Sequence, residues 1–252
     1  MLKFSKANVK LQALAQDAEL AEFLQNKRKI YSLDLLSGWS CPFAHDCLSK
    51  VHQLDGKRSV IDGKHTKFRC FSASQEALYT NVYNLRKSNY DFLRSLATEQ
   101  QMVDAIQEYL PKNLGINRFD VGGDFFNAKY FRAVCIVASL NPDRLFYGYT
   151  KSLPYWVDNR DMVPYNLVLT ASYGGRCDHM IAEHGLRSAK VILHPSEANG
   201  LPIDHDDTHA AKPSLRDQDF ALLIHGTQPK GSESSEAIKR LKKENVKFSY
   251  SK

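Results

Sequence analysis

The amino-acid sequence predicts an α/β fold with a parallel sheet of about six strand–helix units in a chain of 252 residues. Two observations carry this prediction: short apolar runs alternate with helical segments along most of the chain, and no fixed-period repeat replaces that alternation. Strands separated by helices pair in parallel through right-handed crossovers. Six such units can form a doubly wound sheet or an incomplete barrel, and the periodicity does not distinguish these two.

The pattern divides the chain into an N-terminal helical cap, residues 1–29, and a single α/β domain, residues 30–252. Leucines and alanines at mixed helical spacing predict one amphipathic helix over residues 1–27. A chain of this length buries one sizeable core, which suits a single domain of this kind.

The first half of the domain mixes strand, turn and helix signals. The segment KIYSLDLL predicts a strand that Gly38 ends, and DGKRSVIDGKHTKFRCF predicts a hairpin or an irregular excursion because it holds two Asp-Gly turns. Helical spacing begins at Gln75. Thr98, with Gln101 three residues later, predicts a capping box that starts the next helix.

The second half alternates regularly, with one polar interruption at residues 198–218. Strands are predicted in GINRFDVGG, DRLFYGYT, NLVLTASYGG, AKVILHPS and DFALLIHGTQ. Helices are predicted in NAKYFRAVCIVASL with Asn127 as its cap, LPYWVDNRDMV, RCDHMIAEHG closed by Gly185, and SSEAIKRLKKE capped by Ser234 or Ser235.

The charge and hydropathy of the chain favour a soluble protein without a membrane segment. The formal net charge is +6, and basic residues concentrate only in NKRK and KRLKKENVK, which is typical of solvated helix ends. No apolar run is long enough to span a bilayer, and the N-terminus lacks a signal-peptide core. We therefore predict a cytoplasmic protein, with nucleic acid as a weakly supported partner.

Three cysteines predict a metal site. Cys41 and Cys47 lie in SGWSCPFAHDCLSK, just after the first strand, and Cys70 lies in KFRCFSASQEA. Three thiolates can hold a four-iron, four-sulfur cluster whose fourth iron is open or takes another ligand. Cys177 follows a Gly-Gly turn and is a candidate fourth ligand, whereas Cys135 lies in an apolar helix and is predicted to be a core residue.

Zinc is the alternative metal, held by the same three cysteines with His45 or Cys177. Zinc knuckles pair their ligands two to four residues apart, whereas five residues separate Cys41 from Cys47 and Cys70 is solitary. The spacing therefore favours an iron–sulfur cluster.

Polar residues follow almost every predicted strand, where the loops of a parallel sheet converge on one face. Together with the segment DHDDTHAA, residues 204–211, they suggest a pocket opposite the thiols, although no catalytic residue is assigned. DHDDTHAA is interpreted either as a divalent-metal site or as capping and ion-pairing carboxylates. The predicted pocket residues are His45, Arg118, Asp120, Asp124, Lys151, His194, His209 and His225.

The ordered motifs resemble those of the bacteriophage gene-product-88 family over about residues 30–245. They are SGWSCPFAHDCLSK, FRCFSASQEA, RFDVGGDFFNAKYF, FYGYTKSLPYW and FALLIHGTQPKGSESSEAIKRLK. The resemblance implies a phage or prophage source and expression in the cytoplasm of the bacterial host, but it implies no activity.

A looser resemblance links the cysteine loop to radical S-adenosylmethionine enzymes. It implies a partial parallel (β/α)6-type TIM-like barrel with an N-terminal helix, an irregular cysteine-bearing excursion and the cluster at the barrel mouth. The spacing of the cysteines departs from the signature of those enzymes, which places all three in one loop, and this departure speaks against S-adenosylmethionine binding.

The resulting functional hypothesis is an iron–sulfur protein, with a 4Fe-4S cluster, that has a redox or radical-type role on an unknown small molecule or with a redox partner. Whether it is an enzyme is left open. The alternative is a zinc-stabilised protein that binds nucleic acid or a host protein without catalysis.

Overall fold

The structure, a computed structural model, describes residues 1–248, so the last four residues of the predicted 30–252 domain lie outside it. Within the described residues the strands are β1 Ser5–Lys6, β2 Lys29–Leu33, β3 Ser49–Leu54, β4 Lys57–Asp62, β5 Leu114–Phe119, β6 Leu145–Thr150, β7 Leu167–Ser172, β8 Ser188–Ile192 and β9 Phe220–Leu223. The α-helices are α1 Val9–Gln12, α2 Ala18–Ala21, α3 Phe71–Leu78, α4 Thr80–Ser95, α5 Glu99–Tyr109, α6 Ala128–Ser139, α7 Leu153–Asp158, α8 His179–Glu183, α9 Thr208–Ala211 and α10 Glu233–Lys243.

Seven strands form one open, mostly parallel sheet in the order β1-β2-β5-β6-β7-β8-β9. Six of them, β2 and β5 to β9, pair in parallel and follow one another in chain order. Strand β1 pairs antiparallel with β2. The predicted α/β class with a parallel sheet is therefore confirmed. Because β1 and β9 are the two edges, the sheet does not close into a complete barrel.

The two faces of the sheet pack against different parts of the chain. Alternate strand residues such as Tyr31 and Phe146 face the helices that connect the strands, and they share a core with Ile106 and Val134. The intervening strand residues form a second core with the N-terminal segment and α9. Both faces of the sheet are thus covered by other parts of the chain.

The predicted helix over residues 1–27 is wrong, because the segment is divided into β1, α1, α2 and two 3-10 turns. Two cap-type side chains break it: Asn8 Oδ1 accepts a hydrogen bond from the Leu11 amide, and Asp17 Oδ1 accepts from the amides of Glu19 and Leu20. Such side chains compete with a continuous helix. The predicted division of the chain at residue 29 stays a prediction.

The excursion between β2 and α3 contains the antiparallel hairpin of β3 and β4. Asp55 and Gly56 form its turn with φ values of 48° and 74°, as expected for an Asp-Gly turn of the kind that suits the twist of a hairpin. Gln53 pairs with Arg58 and Leu54 with Lys57, so the ladder runs up to the turn.

The helix boundaries show which of the predicted caps are present in the structure. The capping box of Thr98 and Gln101 and the Asn127 cap are both confirmed. Helix α10 is capped by Ser232 rather than by Ser234 or Ser235, because the Ser232 side chain accepts the Ser235 amide. No helix in residues 1–248 combines the length and apolar character needed to cross a membrane.

Candidate functional site

A cavity lies at the carboxyl ends of the parallel strands, between the strand exits and the segment that carries the cysteines. Its volume is about 160 Å³ and it opens to solvent at its mouth, which leaves room for a small ligand. Cys41, Cys47 and Cys70 all line it. Five of the predicted polar residues line it as well: Arg118, Asp120, Asp124, Lys151 and His225.

The loop that carries Cys41 and Cys47 is held by backbone contacts at both of its ends. Gly38 has a φ of 71° and donates its amide to Cys41 Sγ at 3.3 Å. Further along, the amides of His45 and Asp46 donate to the carbonyl oxygen of Gly174, which lies in the turn after β7. The loop is therefore tied to the sheet edge beside the cavity.

Cys70 reaches the same cavity from the start of α3, where it is the residue before the first helical turn. Its amide donates to Ser49 Oγ at 3.2 Å. The side chain of Gln228, in the loop after β9, both accepts from the Arg69 amide and donates to the Arg69 carbonyl oxygen. The β3–β4 hairpin and the loop after β9 thus together hold the backbone that carries the third thiol.

Burial raises the pKa of all three cavity thiols. The pKa of Cys70 is about 11, because burial outweighs the lowering effect of the Ala73 and Ser72 amides. The pKa of Cys41 lies well above its ordinary value, first through burial and then through the negative potential of Asp124, Cys70 and Cys47. The thiols therefore carry protons at neutral pH, and a cation that binds to the sulfur atoms would displace these protons.

Asp120 contributes a buried carboxyl group with an unpartnered oxygen. It lines the cavity in the left-handed region, with φ of 56°, and it is 5% exposed. Oδ1 accepts from Tyr130 Oη at 3.4 Å, while Oδ2 has no hydrogen-bond partner within the described structure. Buried polar atoms are normally satisfied, so the unpartnered oxygen sets Asp120 apart from the hydrogen-bonded carboxylate of Asp124 in the same wall.

Asp124 and Lys151 form a hydrogen-bonded network in the wall of the cavity. Asp124 accepts from Thr150 Oγ1 at 2.6 Å and from the Lys151 amide at 2.8 Å. The ammonium group of Lys151 donates to both oxygens of Ser172 and to the Tyr173 carbonyl oxygen. Both charged groups are thus held in place by the chain itself.

Arg118 forms a buried ion pair with Asp207, and the hydroxyl groups of Tyr147 and Tyr149 also donate to Asp207. Arg118 stands over the Tyr149 ring at 5.0 Å. At the end of β9, His225 packs against the ring of Phe71, next to Cys70, at 4.7 Å. These contacts place one cation and one imidazole at the cavity.

Four other predicted site residues lie outside the cavity, and their roles stay predictions. His45 stacks on His65 and bonds Asp46. Cys177 packs against the helix-covered core. His194 bonds Glu244 at 2.7 Å, and His209 bonds the Gln218 carbonyl oxygen at 3.2 Å.

The segment DHDDTHAA uses its carboxylates for local structure. Asp204 accepts from the amides of Asp206 and Ala210, and Asp206 accepts from the Thr208 amide. Asp207 pairs with Arg118 as described above. Across residues 1–248, no three Cys, His, Asp or Glu side chains form a group placed to hold a single metal ion.

Sequence reasoning missed the apolar wall of the cavity and two anchoring contacts. Val191 and Leu222 face the cavity from strand positions that a period-of-two pattern marks. Phe68 comes from the excursion, where no regular pattern applies. The Asp207 ion pair and the Gln228 clamp join residues far apart in the chain, and no local signal reveals them.

Comparison with known proteins gives one result at the level of the family. No curated protein and no solved structure matches the chain significantly. The looser resemblance to radical S-adenosylmethionine enzymes therefore finds no support. The family model described as Gene product 88 matches residues 2–243, nearly the whole chain, and the protein belongs to the gene product 88 family of bacteriophage proteins.

Proposed function

We propose that Cys41, Cys47 and Cys70 hold an iron–sulfur cluster of the four-iron, four-sulfur type, and that the protein has a redox or radical-type role on a small molecule. The observation that carries this proposal is the convergence of three thiols from two separate segments on one cavity. A buried carboxyl group with an unpartnered oxygen lies in the same cavity. The site therefore offers both cluster ligands and a place for a reactant.

The finer reading of the fold, a partial (β/α)6-type barrel with the cluster at its mouth, belongs to this proposal. The parallel strands follow one another in chain order, and connecting helices pack on one face of the sheet. In barrels of this type the functional residues gather at the carboxyl ends of the strands. The cavity lies at that end.

The number of cavity thiols is the number that a cluster with one open iron would need. Three thiolates bind three irons, and the fourth iron takes a ligand from the cavity or from solution. The Gly38 amide already donates to Cys41 Sγ, and the Ala73 and Ser72 amides stabilise negative charge on Cys70. A structural zinc site is normally closed by four protein ligands, whereas these thiols line an open cavity.

The bound cluster would supply one-electron redox chemistry and an open coordination position. The remaining roles belong to the chain. Asp120 would bind a polar group of the reactant through Oδ2, and Arg118 and Lys151 would supply positive charge at the wall. Apolar residues such as Phe68, Val191 and Leu222 would exclude water from the reactant.

We further propose that the protein works in the reducing cytoplasm of the bacterial host. Reduced thiols are the norm in that compartment. The five cysteines are all free in the described structure.

Purification without oxygen, followed by iron and sulfide analysis and an electron paramagnetic resonance spectrum, tests the proposal. We expect a coloured protein with about four irons and four sulfides per chain. Cys41→Ser, Cys47→Ser and Cys70→Ser should each lose most of the iron. Cys177→Ser is the matched control and should keep it, because Cys177 lies outside the cavity. A colourless protein with stoichiometric zinc overturns the proposal in favour of the zinc-stabilised binding protein.

A further inference from the structure

One face of the β3–β4 hairpin is exposed beside the cysteine loop and carries aromatic, apolar and basic side chains. Lys50 pairs across the ladder with Ile61, and Leu54 pairs with Lys57. These positions alternate with the ones that pack inward, so their side chains share a surface. We call this surface the hairpin face; it consists of Trp39, Lys50, His52, Leu54, Lys57, Ser59 and Ile61.

The hairpin face carries large apolar side chains that remain open to solvent. Trp39 is 40% exposed, Ile61 53% and Leu54 75%. Trp39 lies against the ring of His52 at 5.1 Å, and Lys50 stands over the Trp39 ring at 4.7 Å. A large exposed aromatic residue next to apolar and basic groups is typical of the anchor region of a protein interface.

The charge of this region is strongly one-sided. Residues 45–69 contain six Lys or Arg residues and three Asp residues, so 25 residues hold half of the formal net charge of +6. Asp46 pairs with Lys67 and Asp62 with Arg69. The third carboxylate, Asp55, lies at the tip of the hairpin. Lys50 and Lys57 therefore present positive charge from the hairpin face.

The hairpin face is joined directly to the segments that carry the thiols. Ser49, the first residue of β3, accepts the amide hydrogen bond of Cys70. The indole of Trp39 donates to the Val51 carbonyl oxygen at 3.1 Å, and the neighbouring Gly38 donates to Cys41 Sγ. A partner seated on the hairpin face would sit next to the backbone that holds two of the three thiols.

We propose that the hairpin face docks a small acidic electron-transfer protein, a proposal that rests on the proposed cluster. Acidic groups of the partner would meet Lys50 and Lys57, and apolar groups of the partner would cover Trp39, Leu54 and Ile61. One electron would pass from the reduced partner to the oxidised cluster, and no bond would form or break. Weak redox encounters use small interfaces whose association rate depends on complementary charge.

The composition of the face favours a protein over nucleic acid or a second copy of the chain. Leu54 and Ile61 offer aliphatic contact area, whereas single-stranded nucleic acid is bound by stacking on aromatic rings along a basic groove. Two copies of a chain with net charge +6 would bring like charges together at this face.

The first experiment measures binding alone, with an acidic plant-type [2Fe-2S] ferredoxin as the probe and cluster-free protein as the receptor. Calorimetry at low salt should detect binding that weakens as salt is added. The double variant Lys50→Glu/Lys57→Glu should weaken binding by about tenfold or more. The matched control Lys112→Glu/Lys242→Glu makes the same change of charge at exposed positions elsewhere and should change affinity less than about twofold.

The second experiment uses cluster-loaded protein. Ferredoxin should reduce the cluster of Lys50→Glu/Lys57→Glu more slowly than that of the unmodified protein, while dithionite should reduce both at the same rate. Dithionite needs no docking surface, so equal rates show that the variant has an intact cluster.

Three results would overturn the docking proposal. The first is absence of ferredoxin binding at low salt, and the second is equal weakening of ferredoxin binding by the two double variants. The third is a protein that binds single-stranded DNA instead of ferredoxin, with the DNA binding abolished by Lys50→Glu/Lys57→Glu. Failure of the cluster itself is recognised separately by iron and sulfide analysis, because the binding experiment uses protein without it.

Discussion

Asp120 combines a buried carboxyl oxygen that has no hydrogen-bond partner in the described structure with a strongly shifted pKa. Burial raises its pKa well above the ordinary value of 3.8, and the carboxylates of Asp124 and Asp34 raise it further. The Tyr130 hydroxyl and Arg118 act in the opposite direction but more weakly. A ligand that donates to Oδ2 would supply the missing hydrogen bond, and a positively charged ligand would offset the negative potential of the two neighbouring carboxylates.

Replacing Asp120 with asparagine should change how stability depends on pH. Above pH 3.8 the unfolded chain releases this proton while the folded chain keeps it, so stability falls as pH rises towards the folded pKa, by at most about 1.4 kcal/mol per pH unit. Asp120→Asn removes that loss. Urea unfolding at several pH values should therefore show that the free energy of unfolding of Asp120→Asn increases relative to that of the unmodified protein as pH rises.

Asp143→Asn provides a control of opposite sign. Arg28 holds the pKa of Asp143 below its ordinary value, so the stability from this carboxylate is lost as pH falls. A stability difference between Asp120→Asn and the unmodified protein that stays constant with pH would contradict the assignment of Asp120 as a buried carboxyl group with a raised pKa.

At the residue scale, the clustering of functional side chains that are close in the sequence could be predicted, whereas contacts between residues far apart in the chain could not. Cys41 and Cys47 lie in one short loop after a strand, and Cys70 follows the Asp-Gly turns, so all three could be predicted as neighbours. The partner of Arg118 could not be predicted, because Asp207 lies 89 positions away. His194 illustrates the same difficulty, since it follows a strand but bonds Glu244 of the last helix.

At the element scale, the cysteine loop depends on a close approach between Gly38 and β3. A Cβ atom on Gly38 would lie 2.3 Å from the Ser49 carbonyl oxygen. Gly56 has almost the same φ, 74° against 71°, but a Cβ there meets nothing within 4 Å. Comparing substitutions at the two glycines therefore distinguishes the stability lost by placing a side chain on a left-handed backbone from the stability lost by a steric clash with β3.

Gly38→Ala should destabilise the protein more than Gly56→Ala. Both changes place alanine in the left-handed region, which costs about 1–2 kcal/mol. Only Gly38→Ala forces the loop away from β3, and we expect an additional loss of about 1–3 kcal/mol. Urea unfolding measures both variants. Equal losses would show that the loop moves freely away from the hairpin, which would weaken the case for a rigid thiol site.

Elements with a strong local signal could be predicted, and elements cut by side-chain hydrogen bonds could not. The capping box at Thr98 and the cap at Asn127 are both local patterns. The helical spacing that starts at Gln75 does not show that the chain breaks at Tyr79, where φ is −109° and ψ is 107°. In the N-terminal segment, Asn8 and Asp17 carried a capping signal that leucine spacing concealed.

At the scale of the whole molecule, the order of the strands in the sheet could not be predicted from the sequence pattern. A doubly wound sheet and a sequentially ordered one have the same alternation of strands and helices, because periodicity records local burial and not which strands are neighbours. The observed sequential order places most of the connecting helices on one face. The other face then needs a cover, and residues 1–27 together with α9 provide it.

The N-terminal segment should therefore behave as part of the core and not as a peripheral cap. Leu14 is fully buried against the second face of the sheet, and Leu11 and Leu20 are buried beside it. Leu14→Ala should lower the free energy of unfolding by about 2–5 kcal/mol, because it leaves a cavity in that core. Leu78→Ala, at a position that is 65% exposed, should change it by less than about 0.5 kcal/mol. Urea unfolding followed by both fluorescence and circular dichroism should give one coincident transition for each protein. A loss below about 1 kcal/mol for Leu14→Ala, or an early separate transition, would show that residues 1–29 form the peripheral cap that the leucine pattern predicts.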